Sequence, residues 1–101
     1  PDADLAASFR KAVVDMLADK AMQAAKDLHL NCMVLAGGVS ANSLLRREMQ
    51  ARCDKMGIPL YMPKLSLCGD NAAMIGSAAY FRLMNGEMAN LSLNAKPALR
   101  L

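Results

Sequence analysis

Four apolar residues, Met33 to Ala36, run directly into Gly37 and Gly38, and a helical pattern takes over within a few residues. No other feature of the chain restricts its fold as much. A short apolar run without polar alternation, "CMVLA" over about 32–36, reads as a strand covered on both faces. The glycine pair supplies the backbone freedom for a tight turn. Ser40 is a good N-cap for the helix that follows, expected over about 41–56. Its apolar face begins at Leu44, Leu45 and Met49, and Gly57 is placed to end it.

The flanking segments extend this strand–turn–helix in one direction. Ahead of it, Leu5, Phe9, Ala12, Val13, Met16, Leu17, Met22, Ala25 and Leu28 follow three- and four-residue steps, predicting a helix over about 4–29. Asp2 or Asp4 is placed to cap its start, and Lys26 and His29 suit the negative pole at its end. After it, "IPLYM" predicts a second strand over about 58–62, with Pro59 at an edge or a strand end. A third helix over about 71–85 is rich in small residues and closed by Asn85 and Gly86, and the tail 88–101 reads as irregular. The order helix–strand–helix–strand–helix predicts an α/β arrangement with parallel strands. Two strands are too few for a sheet of usual width. The chain is therefore expected to be part of a larger lobe, leaning on further strands or on a second copy of itself.

Composition narrows the class. Hydrophobic residues make up 54% and charged residues 21%, which suits an ordered globular chain. Nine methionines and no tryptophan point to an adaptable core. The net charge of +3 comes from scattered residues, and the pairs Arg10–Lys11 and Arg46–Arg47 read as solvated helix faces, not a phosphate-binding patch. Cys32, Cys53 and Cys68 are odd in number and share no C-x-x-C spacing, which suits a reducing compartment. With no signal peptide and no apolar run near ~20 residues, a cytoplasmic, membrane-free location is expected.

Three places could carry chemistry. Gly37 and Gly38 let a ligand touch the backbone at the carboxyl end of a strand, a plausible nucleotide or phosphate floor. The spacing is neither G-x-G-x-x-G nor a P-loop, so a plain structural turn stays open. Asn42 either offers a donor and an acceptor to a ligand or supports the helix cap. Asp70 either caps the third helix or serves as a metal ligand, though the single histidine, His29, makes no ligand cluster with it. Cys68 has no neighbouring histidine to activate it and reads as a structural thiol.

Taken together, "VLAGGVSANSLLR" followed by "LCGDNAAMIG", with "DLAASFRKAVVDML" ahead of them, resembles the carboxyl-terminal part of the tRNA adenosine threonylcarbamoyltransferase family, once described as O-sialoglycoprotein endopeptidase. The likeness spans roughly 4–82 and rests on two separate motifs in the right order. It implies an actin-like (ASKHA) two-lobed ATPase fold, with this chain as the last portion of the second lobe. The implied reaction moves a threonylcarbamoyl group from threonylcarbamoyl-adenylate to the adenosine beside the anticodon of tRNA. Carried over by motif, Gly37 and Gly38 would line the nucleotide cleft and Asn42 would bind the adenylate. Asp70 would be one ligand of a single divalent metal ion, iron or zinc. Partners implied are tRNA and the other subunits of the threonylcarbamoyladenosine-forming complex.

Departures from the pattern matter as well. The family's two metal-binding histidines belong to its first lobe and have no counterpart here, and Gly69 stands where threonine is common. The early strands of the second lobe are also missing. The expectation is that the chain alone is inactive and self-associates. Two alternatives are an actin-like small-molecule kinase lobe, disfavoured by "LCGDNAAM", and a non-catalytic assembly module, disfavoured by the presence of Asn42 and Asp70. A peptidase gains no support, since no H-E-x-x-H motif occurs.

Overall fold

The computed structural model describes residues 1–99. It contains α1 (Asp2–Asp27), β1 (Met33–Val34), α2 (Ser43–Met56), β2 (Leu60–Tyr61) and α3 (Ala72–Met84). Short 3-10 turns occupy Gly38–Ala41 and Leu65–Leu67. The chain divides into two units, Pro1–Asp70 and the residues from Asn71 onward.

In the first unit α1 starts earlier than the periodicity suggests. Pro1 stands at its head without a side-chain cap, and the Leu5 amide donates to the Pro1 carbonyl at 2.9 Å. Asp2 and Asp4 therefore lie inside the first turn, where their charge favours the positive pole, and do not cap. At the other end His29 takes a left-handed conformation, φ 52°. The amides of His29 and Leu30 donate back to Lys26 and Ala25 at 3.1 and 2.9 Å, a Schellman motif. His29 thus ends the helix from outside and is not in its last turn. Gly57, φ 72°, ends α2 in the same way, with the Gly57 and Ile58 amides returning to Asp54 and Cys53.

The core forms where α1 crosses α2. Val14, Ala18 and Met22 stand on one row of α1, each four residues apart, and Leu45, Met49 and Cys53 form the matching row of α2. Ala18, fully buried, lets the backbones come close. Leu44 joins the cluster, with Met33, Leu35, Ile58 and Leu60 packed against it. Arg52 of α2 reaches Asp15 and Asp19 of α1 at the rim, exposed pairs worth at most about 1 kcal/mol each. The helical period of α1 is correct, but its buried row is narrower than expected. Leu5, Phe9, Met16, Leu17 and Leu28 remain exposed, because α2 covers only one stripe of a 26-residue helix.

The two strands pair in parallel, with Met33 opposite Leu60 and Val34 opposite Tyr61. Pro59 lies just before β2 and uses only its carbonyl, which accepts the Met33 amide at 3.0 Å. The sheet has one covered face, not two. Val34 and Tyr61 are 65% and 59% exposed, since nothing in the first unit stands over that side. Both strands are also shorter than the predicted spans 32–36 and 58–62.

In the second unit, α3 is capped by Asn71, whose side-chain oxygen accepts the Met74 amide at 3.0 Å. The capping role weighed for Asp70 therefore falls to its neighbour: Asn71, in extended conformation, stands three residues before the amide that it caps. Gly86 closes the helix through a third Schellman motif, its amide and that of Glu87 returning to Leu83 and Arg82. None of the α3 side chains is buried. Beyond it the described tail holds only local turns, such as Ser92 to Asn90 and Leu99 to Lys96. Residues 100 and 101 of the predicted irregular tail lie outside the described residues.

Candidate functional site

Because β1 and β2 are parallel, the loops that follow them leave from the same edge of the sheet. The first carries Gly37, Gly38 and Asn42, and the second ends at Asp70. This is the edge at which open α/β sheets bind ligands.

The first loop needs one of its glycines for itself. Gly37 has φ 89° and ψ 172°, a region that is essentially glycine-only. Its carbonyl accepts both the Ser40 amide, at 3.0 Å, and the Ser40 hydroxyl, at 2.6 Å. Ser40 is consequently buried within the 3-10 turn and caps nothing; the N-cap of α2 is Asn42. The Asn42 side-chain oxygen accepts the Leu45 amide at 3.1 Å, which leaves its NH2 group outside the cap. Gly38 makes neither demand: its φ is not positive, and a Cβ there would meet no atom within 4 Å. Nothing in the fold requires glycine at that exposed position.

Arg46 is the residue that sequence reasoning missed. It is half-buried, not solvated, although its neighbour Arg47 is exposed as expected. Its Nε donates to the Ser40 carbonyl at 2.6 Å, and its Nη2 donates to the Pro63 carbonyl at 2.7 Å and to Cys68 Sγ at 3.0 Å. One guanidinium thus spans the glycine turn and the loop leading to Asp70. A signal existed in the sequence: a cation near a helix N-terminus opposes the helix dipole and asks for another reason to be there.

The second loop follows from the same bonds. Cys68 is buried and accepts from Arg46, and its thiol approaches the Lys64 carbonyl at 3.6 Å, in keeping with a structural role. Asp70 is exposed at the end of the loop. Among the described residues no group of three or more His, Cys, Asp or Glu lies close enough to hold a metal ion. Metal sites use three or four protein ligands, so Asp70 with its neighbours does not make one.

Concave surface beside the turn is apolar. A mostly apolar groove of about 200 Å³ is lined by Phe9, Val13, Leu17, Val39 and Leu45, with Arg10 and Asn42 as its polar residues. That is below the ~300–1,000 Å³ of a whole ligand site and suits only part of a ligand. A larger open hollow, about 610 Å³, lies between α1 and α2 around Lys26, Arg52 and Lys55. It shares no residue with either loop, and its arginine is engaged by Asp15 and Asp19. Away from the loops, burial, with the Asp54 carboxylate adding to it, pushes the Cys53 thiol pKa up. No helix among the described residues is long and apolar enough to cross a membrane.

Comparison with known proteins bears directly on these loops. Residues 2–77, which include both, match the model of the tRNA N6-adenosine threonylcarbamoyltransferase family. A protein of that name from Clostridium perfringens (strain SM101 / Type A) is 50% identical over 99 residues, covering 98% of this chain and 29% of the relative. Those of Clostridium botulinum (strain 657 / Type Ba4) and Moorella thermoacetica are 48% identical with the same coverage. The chain thus spans less than a third of the length of these relatives. With both loops inside the matched region and half its residues shared with a named relative, the chain belongs to the tRNA N6-adenosine threonylcarbamoyltransferase family.

Proposed function

We propose that the chain is part of an enzyme that transfers a threonylcarbamoyl group from threonylcarbamoyl-adenylate to the adenosine beside the anticodon of tRNA. The observation that carries the reading is the parallel register of β1 and β2, which sends both motif loops off one edge of the sheet. In this reaction the adenine amine attacks the threonylcarbamoyl carbonyl. A C–N bond forms, the C–O bond to the phosphate breaks, the amine loses a proton and adenylate leaves. Gly38 offers bare backbone to the nucleotide, Gly37 holds the turn, and the Asn42 NH2 group donates to the acyl-adenylate. The groove that Asn42 helps to line takes one portion of that ligand.

In this reading Asp70 contributes a single carboxylate to a divalent metal ion, iron or zinc, whose other ligands lie outside this chain. The larger fold is an actin-like lobe, the location cytoplasmic, and the partners tRNA and the other subunits of the modifying complex. Alone, the chain is inactive and self-associates, since Leu5, Phe9, Met16, Val34 and Tyr61 stand exposed.

Asp70→Asn is the direct test, made with this segment carried in the frame of the Clostridium perfringens relative so that the rest of the protein is present. Because Asn71 and not Asp70 caps α3, thermal stability without metal should not change. Bound metal should fall 10-fold or more, in line with the loss of a ligand, and transfer to tRNA should fall with it. Normal metal content together with normal transfer would remove Asp70 from the site.

A further inference from the structure

We infer that Arg46 is a positioning residue that couples the two motif loops, setting the spacing between Asn42 and Asp70 without touching substrate. The inference rests on the proposed acyl transfer for its catalytic consequence, but its structural basis stands apart from that reading.

The geometry is specific. Nε and Nη2 of one planar guanidinium reach two carbonyls that belong to different loops, Ser40 at 2.6 Å and Pro63 at 2.7 Å. The second nitrogen also reaches Cys68 Sγ at 3.0 Å, two residues before Asp70. The Arg46 amide donates to the Asn42 carbonyl at 3.0 Å in the first turn of α2. The same residue therefore braces Asn42 through the main chain and the approach to Asp70 through the side chain. β1 and β2 are only two residues long each, so the sheet's own ladder ends well before either loop reaches its functional residue. Arg46 adds bonds to both loops beyond that short ladder.

Charge makes the brace selective. A guanidinium that donates to carbonyls forms charge-assisted bonds, stronger than neutral ones, and its fork fixes direction as well as distance. Lysine keeps the charge but not the fork, so it cannot hold both carbonyls at these angles. Cys68 contributes a weaker acceptor, which makes it the lesser half of the device. An arginine serving only as surface charge would show none of this, and Arg47, one residue on and exposed, is the internal control.

The experiment compares Arg46→Lys, Arg47→Lys and Cys68→Ala, with the segment in the frame of the Clostridium perfringens relative. Hydrogen exchange is read at four amides that close the two loops: Ser40 and Asn42 in the first, Leu67 and Cys68 in the second. Arg46→Lys should speed exchange at all four by 10-fold or more, leave the amides of α1 unchanged, and lower kcat for transfer at least 10-fold. KM for tRNA should stay within about twofold. Arg47→Lys should change none of these. Faster exchange in one loop only, or normal kcat with both loops loosened, would overturn the inference. If Arg46→Lys does not fold, Cys68→Ala decides: exchange faster at Leu67 and residue 68 with reduced kcat supports the brace, and unchanged exchange and kcat refute it. If the unsubstituted protein transfers nothing to tRNA, the proposed function fails by itself, and the exchange arms still decide whether Arg46 couples the loops.

Discussion

α2 and α3 are nearly the same helix by local rules and have opposite fates. They have 14 and 13 residues, each begins on an asparagine that caps through its side-chain oxygen, and each ends at a left-handed glycine. α2 is the more polar, carrying Arg46, Arg47, Glu48, Arg52, Asp54 and Lys55, yet it buries Leu44, Leu45, Met49 and Cys53. α3 has one charged residue, Arg82, and buries nothing. Ile75, Tyr80, Phe81 and Met84 all stand more than half exposed. Local punctuation decides that a helix forms. What it packs against decides how much that helix contributes to stability.

The comparison should break most visibly on core truncation. Leu45→Ala should cost about 2–5 kcal/mol of unfolding free energy, read by denaturant titration of the chain. Ile75→Ala should stay within about 0.5 kcal/mol in the same assay, because it removes no buried contact. Equal losses at the two positions would mean that α3 is covered in solution.

A smaller effect separates the two caps. Asn42→Ala should cost about 1 kcal/mol of global stability, whereas Asn71→Ala should fray α3 locally without moving the main unfolding transition. Asn42→Asp and Asn71→Asp keep both caps, since aspartate accepts equally well. In the larger protein only Asn42→Asp should weaken adenylate binding, because it alone removes an NH2 group placed at the groove. Undiminished binding would return Asn42 to a purely structural role.

The smallest effect is one of pH and belongs to α2. The folded Cys53 thiol has its pKa raised by burial, so the folded state holds the proton more tightly than the unfolded chain. Stability from this group is intact below the unfolded thiol pKa and declines as pH rises through it toward the folded value. Thermal melts should therefore soften in the alkaline range, and Cys53→Ala should flatten that slope while lowering stability at neutral pH. An unchanged slope would assign the alkaline loss to other groups.

Much of this was legible in advance, and the reasons are specific. Gly57 and Gly86 end their helices as read, because a left-handed residue after an apolar period is a local requirement that glycine meets without strain. The parallel pairing also followed from element order. The errors share a cause. The sequence places Ser40 as the N-cap of α2 and offers Asp70 as one candidate cap of α3, but the capping oxygens belong to Asn42 and Asn71. A shift of one or two residues changes which amide a side chain can reach, and periodicity does not resolve shifts that small. Arg46 escapes a local reading for a different reason: its three acceptors lie 6, 17 and 22 residues away.

By itself the sequence determined where helices start and stop to within a few residues, that two strands would run parallel, and which family the motifs point to. These depend on backbone conformation and on spacing along the chain, which neighbouring residues encode. The tertiary structure alone decided which stripe of α1 is buried, that Val34 and Tyr61 face outward, and that Arg46 ties the glycine turn to the approach to Asp70. Each of those depends on which surfaces and acceptors the folded chain brings within a few ångströms. No local pattern carries that information, because the partners are set by packing and not by their distance in sequence.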